Sequence, residues 1–387
     1  MRVALQIDQL WFGAPGGIGT YVWELVEAFH RLREPELTVF HARFDGEPTR
    51  RFTAPHDEIE VPGSIRSLYP SWNLLGKPAL PSGLVAVDLI HATNPASVPP
   101  AGDAQALAVT VHDLAFDRFP EVFPRTWRTL YRAGARAAVK RADVLLVPTR
   151  ATSDDLVARG ADPGRIRVTP LASSLPSSDL DPSTVAERFG VTGPFVLSAG
   201  TLEPRKNQVR LVRAYRQIAR DVPHALVLAG PDGWLIDDLE REIARPGPGT
   251  IVRTGRLDAD ELDAMYRAAD VVAYPSLYEG FGLAIVEAMA RGVPVVTSTT
   301  PACAEVASDA AILVDPLDVG GLADALARVL TDEDLRADLV ARGRERASGY
   351  SWDATARATL VAYRDGVALA ADGREGNGRD GNGEALE

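Results

Sequence analysis

The sequence predicts an α/β protein with two doubly wound, parallel-sheet domains that face one another across a cleft. Three observations lead to this prediction: short apolar runs alternate with amphipathic helical patterns, the alternation stops once near the middle of the chain, and it then resumes. Strand–helix–strand repetition is typical of parallel sheets with helices on both faces. A chain of 387 residues is long for one hydrophobic core but sufficient for two.

Each strand is predicted from a short apolar run. In the first half of the chain these runs are VALQI, ELTVFHA, VDLIHAT, LAVTVHD and VLLVPT, and in the second half they are FVLSAG, ALVLAG, IVRTG, VVAYPS, VPVVTST and AILVD. Helical periodicity is present in TYVWELVEAFHRL, RTWRTLYRAGARAAVKRA and ELDAMYRAA, which lie between strands.

The domain boundary is predicted in the Ser-, Pro- and Asp-rich stretch near 175–193. We expect a first domain over 1–175 and a second over 190–350. Because ligands bind such sheets beyond the carboxyl ends of the strands, two facing sheets would share one site.

The end of the chain is predicted to contain one more helix and a tail. The helical pattern over 351–370 is expected to cross back to the first domain, although its periodicity alone does not establish this. The Gly-, Asp-, Asn- and Glu-rich segment 371–387 is aperiodic, which is typical of a disordered tail.

Composition excludes several classes of protein. The net charge of −12 argues against nucleic-acid binding, and the single cysteine, Cys303, cannot build a disulfide framework or a cysteine-based zinc site. The short N-terminal apolar stretch is interrupted by polar residues, so no signal peptide is predicted, and no run is long enough to span a membrane. We therefore expect a cytoplasmic protein, with the inner face of the membrane as an alternative position.

Two loops of the first half have residues suited to a ligand. GAPGGIGTY, residues 13–21, is glycine-rich and opens a helix whose N-terminus favours anions, but a tight strand–helix connection explains it equally well. VTVHDLAF, residues 109–116, places His112 and Asp113 at a strand end. His112 could instead be satisfied by local backbone, and His91 is its nearest competitor.

In the second half, SAGTLEPRKNQ at 198–208 places Arg205 and Lys206 at the start of a helical pattern. A helix N-terminus prefers anions, so two cations there predict an anionic ligand, such as a phosphate, bound by the helix end and both side chains. The alternative is two solvated cations paired with Glu203.

The stretch SLYEGFGLAIVEAMA, residues 276–290, places Glu279 in a glycine-flanked loop and Glu287 on an apolar helix face. A carboxylate on such a face needs hydrogen-bond donors, and ribose hydroxyls are suitable. We expect Glu279 beside a sugar and Glu287 beside a nucleoside. The alternative is a capping glutamate plus a core ion pair.

Asp-x-Asp triplets at 179, 258 and 332 could in principle hold a metal on a diphosphate. Asp258 and Asp332 stand where helical patterns begin, which favours helix caps, and no metal site is predicted. The sequence also lacks G-x-S-x-G, GxxxxGK[ST] and H-E-x-x-H, so the usual signals of hydrolases, P-loop NTPases and zinc proteases are missing.

Taken together, these loops resemble glycosyltransferase family 4, the retaining nucleotide-sugar transferases with the GT-B fold. The resemblance extends over nearly the whole chain except the tail. It is carried by E-x7-E from Glu279 to Glu287, EPRKN at 203–207, VHD at 111–113, GGIG at 16–19 and YSW at 350–352.

The resemblance implies a role for each matching residue. Glu279 would contact hydroxyls of the donor sugar, Glu287 the ribose, and His112 the sugar near the reacting centre. The implied catalytic residues are His112, Glu279, Lys206 and Arg205; the implied donor-binding residues are Gly17, Gly200, Thr201, Arg205, Lys206, Glu279, Gly280, Phe281, Gly282, Leu283 and Glu287; and the implied acceptor-side residues are Gly16, Gly17 and Asp113.

One position departs from the family pattern. Many members have arginine where this chain has Thr201, so one phosphate-binding cation is missing and Arg205 would supply the charge. The segment GTLEPRKN is similar in sequence to the corresponding segment of mannosyl- and related hexosyltransferases of polysaccharide and glycolipid synthesis.

The resulting hypothesis is a retaining hexosyltransferase that needs neither a cofactor nor a metal. It would move a hexose, with mannose the best guess, from a nucleoside diphosphate sugar to a hydroxyl of a glycan, glycolipid or small molecule. The alternatives are a GT-B nucleotide-sugar epimerase, a non-catalytic sugar-nucleotide-binding subunit, and a Rossmann oxidoreductase, which the missing dinucleotide fingerprint disfavours.

The sequence does not identify the acceptor or the oligomeric state. The Pro- and Gly-broken segment 61–84 is either a mobile loop that touches a glycan or lipid-linked acceptor or a loop packed on its own domain. Its apolar residues are Leu68, Tyr69, Trp72, Leu74 and Leu75. The acidic net charge argues against strong attraction to anionic lipid, except through a local basic patch.

Overall fold

In the computed structural model, the chain forms two units, each a parallel β-sheet covered by helices. The first unit comprises Met1–Pro170 and the chain from Trp352 onward, and the second comprises Leu171–Ser351. The structure describes residues 1–13 and 16–380, and it describes the side chains of all of these except 122, 373 and 375–380. The predicted class, two Rossmann-like parallel-sheet domains, is confirmed.

The sheets contain seven and six strands, all in parallel pairs, in the orders β3-β2-β1-β4-β5-β6-β7 and β10-β9-β8-β11-β12-β13. The strands of the first sheet are β1 (Arg2–Gln6), β2 (Glu36–Ala42), β3 (Asp57–Val61), β4 (Leu89–Ala92), β5 (Ala106–Thr110), β6 (Val144–Val147) and β7 (Ile166–Val168). Those of the second are β8 (Phe195–Ala199), β9 (Ala225–Ala229), β10 (Ile251–Gly255), β11 (Val271–Tyr274), β12 (Val295–Ser298) and β13 (Ile312–Val314).

The helices connect these strands and cover the sheets. They are α1 (Gly16–Leu32), α2 (Ile65–Leu75), α3 (Ala115–Arg118), α4 (Arg125–Arg141), α5 (Arg150–Val157), α6 (Pro182–Arg188), α7 (Gln208–Ile218), α8 (Asp237–Ala244), α9 (Ala259–Ala268), α10 (Leu283–Ala290), α11 (Pro301–Ala307), α12 (Val319–Thr331), α13 (Glu333–Ser348) and α14 (Trp352–Asp380).

The central strands are buried on both faces, which explains why they appear in the sequence as continuous apolar runs. Two outer strands were not predicted. Strand β3 has the sequence DEIEV and forms one edge of its sheet, whereas β7 is only three residues long at the other edge. An edge strand tolerates charged residues because solvent reaches it, so its apolar signal is weak.

Helix α14 packs on the first unit, against α1, β5 and β6. Its Tyr363 hydroxyl lies 2.6 Å from Nδ1 of His91, and a Cβ atom at Gly366 would come within 2.7 Å of Val144. The helix continues to Asp380, so part of the tail predicted to be disordered is helical, and Arg374 donates to the carbonyl of Gln105. Residues 381–387 of that predicted tail lie outside the described part of the chain.

The stretch predicted as the interdomain linker belongs to the second unit. Arg291 donates to the Ser173 hydroxyl and to the carbonyl of Leu175, while Asp263 accepts a hydrogen bond from the amide of Ser178. These buried charged groups fix a segment whose composition alone indicates a loop.

Most of the segment 61–84 is not a mobile loop. It contains α2, whose Leu68, Tyr69 and Trp72 are buried in the core of the first unit. These residues recur at helical spacing, and the Trp72 indole N–H donates to the carbonyl of Pro78. The alternative of a loop packed on its own domain is therefore correct about the packing, although most of the packed residues form a helix.

Candidate functional site

The Glu203–Asn207 loop follows β8 and turns directly into α7. Residues Pro204–Lys206 form one 3-10 turn, and Asn207 then adopts a left-handed conformation with φ of 63°. The Asn207 side chain donates to the carbonyls of Pro275 and Pro316, so it ties this loop to the end of the neighbouring strand β11. Asn is among the few residues that tolerate this conformation.

The loop that carries Glu279 lies against the Arg205–Lys206 turn. The amide of Leu277 donates to the carbonyl of Arg205 at 2.9 Å, which fixes the two backbones together. Glu279 then accepts from Arg205 at 2.7 Å through one oxygen and from the Lys206 ammonium at 2.7 Å through the other. Two loops separated by about seventy residues of sequence therefore converge on one carboxylate.

Arg205 and Lys206 are not solvated cations, because each side chain is only 14% exposed. Arg205 also pairs with Glu203 at 2.6 Å, and Lys206 donates to the Tyr274 hydroxyl. The alternative of two solvated cations paired with Glu203 is therefore wrong about their solvation, although the pairing of Arg205 with Glu203 is present. The group Glu203, Arg205, Lys206 and Glu279, called the ion cluster below, contains two cations and two carboxylates.

The ion cluster keeps Glu279 ionised. Burial alone would raise the pKa of its carboxyl group, but the charges of Arg205 and Lys206 and the hydrogen bond from Lys206 together lower it to about 2. The carboxylate is thus a fixed negative charge and hydrogen-bond acceptor at any ordinary pH.

Helix α10 begins immediately after this loop, as predicted. Its N-cap is Gly282, whose φ of 100° lies in the region that favours glycine, and no side chain caps the helix. Glu279 is therefore not a capping residue. The first amides of the helix have no partner further back in the helix, so they point towards any group bound at its start. Phe281 is buried against the ring of Tyr350, which anchors the turn.

Helix α10 ends at Ala290 with Arg291 as its C-cap, and Gly292 follows in the C′ position, as predicted, with φ of 69° and its amide bonded to the carbonyl of Met289. Glu287 lies in the second turn and accepts a 2.9 Å hydrogen bond from the hydroxyl of Tyr266 on α9. Burial raises the pKa of Glu287, and the Tyr266 hydrogen bond and the charges of Arg291 and Lys206 oppose this shift. One oxygen of this carboxylate is thus already held by the protein.

Sequence reasoning missed the loop 230–233 that packs beside Gly200 and Thr201. The amide of Leu202 donates to the Pro231 carbonyl, and that of Gly233 donates back to Leu202. A Cβ atom at Gly230, with φ of 153°, would lie 2.1 Å from the Gly200 carbonyl oxygen. The signal for this contact was the pair of glycines in GPDG, which permits two strand-end loops to approach closely.

In the first unit, His112 follows β5 and is half-buried. Its Nε2 lies 3.0 Å from the carbonyl oxygen of Thr93 and must therefore carry the proton, while Asp113 accepts from the amide of Ala115. Burial lowers the pKa of His112 to about 4, despite the opposing effects of the Thr93 carbonyl and Asp113. The imidazole is neutral at ordinary pH.

His91 is a core residue. It is fully buried, with Nε2 2.7 Å from the Thr110 hydroxyl and Nδ1 2.6 Å from the Tyr363 hydroxyl. Both ring nitrogens are occupied by the fold, and burial lowers its pKa to about 3. His91 is therefore not an alternative to His112 as a ligand-binding histidine.

The remaining first-unit residues lie at the start of α1. Gly16, with φ of 57°, and Gly17 are both exposed there, while residues 14 and 15 of the same loop lie outside the described part of the chain. The structure therefore brings Gly200, Thr201, Arg205, Lys206 and the 279–287 residues together in the second unit, and Gly16, Gly17, His112 and Asp113 belong to the first.

Comparison with known proteins identifies the family. A family model described as "Glycosyl transferases group 1" matches residues 184–346, and one described as "Glycosyltransferase Family 4" matches residues 15–172. The O-antigen chain mannosyltransferase B of Escherichia coli is 32% identical over 263 residues, which are 66% of this chain and 69% of that protein. The chain belongs to glycosyltransferase family 4.

This family 4 glycosyltransferase is also similar to the D-inositol 3-phosphate glycosyltransferase of a Nocardioides species. The two are 29% identical over 412 aligned positions, which cover 92% of this chain and 87% of that protein.

Solved structures confirm that this family 4 glycosyltransferase has the GT-B fold. Anabaena HepE, crystallised in complex with UDP and glucose, aligns with a TM-score of 0.67 and 19% identity over 92% of this chain and 97% of that one. The sucrose-phosphate synthase of Thermosynechococcus elongatus aligns with a TM-score of 0.70 and 22% identity over 94% and 98%. At these sequence identities the structural similarity shows a shared fold and nothing about the substrate.

Two further sequence predictions can be checked on this glycosyltransferase. Asp258 caps α9 in a reciprocal capping box with Glu261, and Asp332 caps α13, so both are helix caps as predicted. Over residues 1–13 and 16–380, no helix is both long enough and apolar enough to span a bilayer.

Proposed function

We propose that the protein transfers a hexose, most simply mannose, from a nucleoside diphosphate sugar to a hydroxyl of a glycan, glycolipid or small-molecule acceptor. The reaction retains the anomeric configuration and uses no metal ion or cofactor. The observation that carries the proposal is the ion cluster at the start of α10, in which Lys206 and Arg205 hold the ionised carboxylate of Glu279.

The donor site is assigned to the second unit. Lys206 and the first amides of α10 bind the diphosphate, because both are positive and lie next to Glu279. Arg205 adds positive charge and positions Glu279, to which it is bound. Glu279 accepts hydrogen bonds from the sugar hydroxyls, and Glu287 accepts them from the ribose.

The chemistry requires stabilisation of a leaving diphosphate and of an oxocarbenium-like sugar. The bond from the anomeric carbon to the diphosphate oxygen breaks, the bond to the acceptor oxygen forms on the same face, and the leaving diphosphate takes the acceptor proton. Fixed positive groups that are in place before the reaction stabilise the developing charge most effectively. The neutral imidazole of His112 is suited to hydrogen bonding with the sugar rather than to charge pairing.

The names of the similar proteins support this donor class. The Escherichia coli relative is a mannosyltransferase, and HepE was crystallised with UDP and glucose. The two names mention different sugars, mannose and glucose, so donors that carry either sugar should be tested.

The experiment is a thermal-shift screen with UDP, GDP, dTDP and ADP sugars, because a ligand that binds the folded state raises its apparent stability. The donor that stabilises the protein is then incubated with a panel of hydroxyl acceptors, and the anomeric configuration of the product is read by NMR. The proposal expects an α-linked product from an α-linked donor. An inverted product would contradict retention, and an epimer formed from donor alone would favour the epimerase.

A further inference from the structure

A cavity of about 310 Å³ opens in the first unit, where β1, β2 and β3 end. Its lining includes Trp11, which ends the turn after β1, His41 and Phe44 at the end of β2, and Glu58 and Glu60 of β3. Ligand pockets commonly measure about 300 to 1,000 Å³, so this volume suits one small ring rather than an extended molecule. We call it the aromatic cavity.

Flat ring surfaces line the aromatic cavity. The Trp11 indole stacks on the His41 imidazole with centroids 4.1 Å apart, and the Phe44 ring lies 5.6 Å from the indole with the two planes 14° apart. The His41 and Phe44 rings are 6.4 Å apart, too close to lie on opposite faces of the indole, so one indole face is covered by neither of them. An aromatic face carries partial negative charge and attracts the C–H bonds on one face of a sugar ring.

The carboxylates of the lining already have partners of opposite or neutral charge. Glu58 lies 3.1 Å from Nε2 of His41 and 3.6 Å from Nε2 of His56, and Glu60 pairs with Arg43 at 3.1 Å. Carboxylate oxygens keep further lone pairs when they are paired in this way. They can therefore also accept hydrogen bonds from the hydroxyl groups of a ligand.

The two arginines of the lining are engaged elsewhere. Arg51 pairs with Glu47, and the Arg50 guanidinium stands 4.5 Å over the Trp23 ring. Cations that already have a counter-charge or a ring do not form a site for an anion, which would also be repelled by the nearby carboxylates. Ring faces together with balanced charges suit a neutral molecule that has both C–H faces and hydroxyl groups, and a neutral sugar ring has this chemistry.

The aromatic cavity is separate from the position implied for the reacting sugar. His112 follows β5, whereas β1 and β2 stand two and three places from β5 in the sheet, so about 10 to 15 Å separate these strand ends. Gly16, Gly17 and Asp113, the residues implied on the acceptor side, are not among the described residues of the lining. A ring bound in this cavity is thus not the ring beside His112.

We infer that the aromatic cavity binds a neutral sugar ring of the acceptor, at least one ring away from the sugar that receives the transferred hexose. The inference rests on the proposed function and narrows its acceptor from any hydroxyl compound to an uncharged oligosaccharide that is already assembled. Trp11 is then a specificity-determining residue, because its ring supplies the flat face on which the distant sugar packs.

The first test is saturation-transfer NMR of the full chain without nucleotide. The probes are linear tri- to pentasaccharides of mannose, glucose and galactose, with an oligogalacturonate as the anionic comparison. At least one neutral series should bind, with saturation passing from aromatic protons to the C–H protons of one sugar face, and the affinity should not change with salt.

Variants at Trp11 make this test specific. Trp11→Leu should weaken binding by at least about tenfold, because the sugar loses most of its apolar contact, whereas Trp11→Phe keeps a ring and should keep most of the affinity. Trp234→Leu is the matched control, since Trp234 is 38% exposed and lies in the second unit. Melting curves confirm that each variant folds.

The second test is transfer to these oligosaccharides from the donor found by the thermal-shift screen. Trp11→Leu should raise KM for a pentasaccharide acceptor and leave kcat unchanged, because the contact is the same in the ground state and the transition state. An equal KM in wild type and Trp11→Leu would overturn the inference. So would binding of the anionic oligosaccharide alone, no binding of any neutral one, or equal losses in Trp11→Leu and Trp234→Leu. Neutral-sugar binding that depends on Trp11 without any transfer would instead contradict the proposed function and leave the cavity a sugar site.

Discussion

The two carboxylates of the E-x7-E motif lie in the same short stretch of chain, yet the fold treats them in opposite ways. Glu279, in the loop, is held by two cations and its pKa falls to about 2. Glu287, in the helix, is held by the neutral hydroxyl of Tyr266, and burial raises its pKa. The loop thus fixes a charge through direct ion pairs, whereas the carboxylate on the helix is hydrogen-bonded to a neutral hydroxyl and feels the charges of Arg291 and Lys206 without an ion pair described for it.

This difference also gives the two residues opposite effects on stability. Because the folded-state pKa of Glu279 lies below its ordinary value of 4.5, its contribution is present above pH 4.5 and is lost as pH falls towards about 2. The pKa of Glu287 is raised instead, so its contribution is lost as pH rises through the folded-state pKa.

The largest effect on stability is expected from Glu279→Gln. This change leaves Lys206 and part of Arg205 without their buried counter-charge, and removal of one partner from such a pair costs on the order of 3 kcal/mol. The free energy of unfolding, measured by urea titration at several pH values, should differ most from wild type above pH 4.5 and converge as pH falls. A difference that does not change with pH would mean that the charge of Glu279 is not what stabilises the loop.

Lys206→Ala should lower kcat by tenfold or more, because the developing charge on the leaving group loses a fixed cation. Lys206→Arg should recover part of the loss. Arg220→Ala is the control, because Arg220 is exposed and lies just beyond the C-terminal end of α7. Steady-state kinetics with the donor found by the thermal-shift screen provide the measurement. Unchanged kinetics would remove Lys206 from the diphosphate site.

Glu287→Gln should weaken nucleotide binding by roughly tenfold, the size expected for loss of a hydrogen bond to a charged acceptor. The stability at neutral pH should change little, since burial already disfavours the charge. Calorimetric titration with the nucleoside diphosphate separates the two effects. Equal affinity in the variant and the wild type would contradict the assignment of Glu287 to the ribose.

The smallest effect is expected from Tyr266→Phe, which removes the one hydrogen bond described for the Glu287 carboxylate and leaves the ring in place. Loss of a neutral donor costs about 1 kcal/mol of stability and should change nucleotide affinity by only a few fold. A loss in affinity as large as that of Glu287→Gln would show that Tyr266 positions the carboxylate.

The sequence predicted this region well because its signals are local. The spacing of Glu279 and Glu287, the left-handed Gly282 and the terminal Gly292 all belong to one strand–loop–helix unit. The partner Tyr266 could not be predicted, since it lies on another helix, α9, and reaches Glu287 only in the folded structure.

Other parts of the chain show the same limit. The edge strand β3 was not predicted, because three of its five residues are charged and its apolar residues are too few to form a recognisable strand pattern. Pro70 within the α2 segment indicates a loop, whereas the burial of Trp72 that stabilises the helix depends on distant residues. His91 and His112 look alike in sequence, and they differ through tertiary contacts: Thr110 and, from α14, Tyr363 occupy both ring nitrogens of His91.

The central claim is that Lys206 binds the diphosphate while Glu279 binds the sugar, although the two side chains are paired with each other. Calorimetric affinity for the nucleoside diphosphate without its sugar tests this most directly, with Lys206→Gln and Glu279→Gln compared side by side. Lys206→Gln should weaken binding by tenfold or more, whereas Glu279→Gln should keep or strengthen it, because it removes a negative charge that competes for Lys206. Equal loss in both variants, or loss in Glu279→Gln alone, would contradict this division of roles.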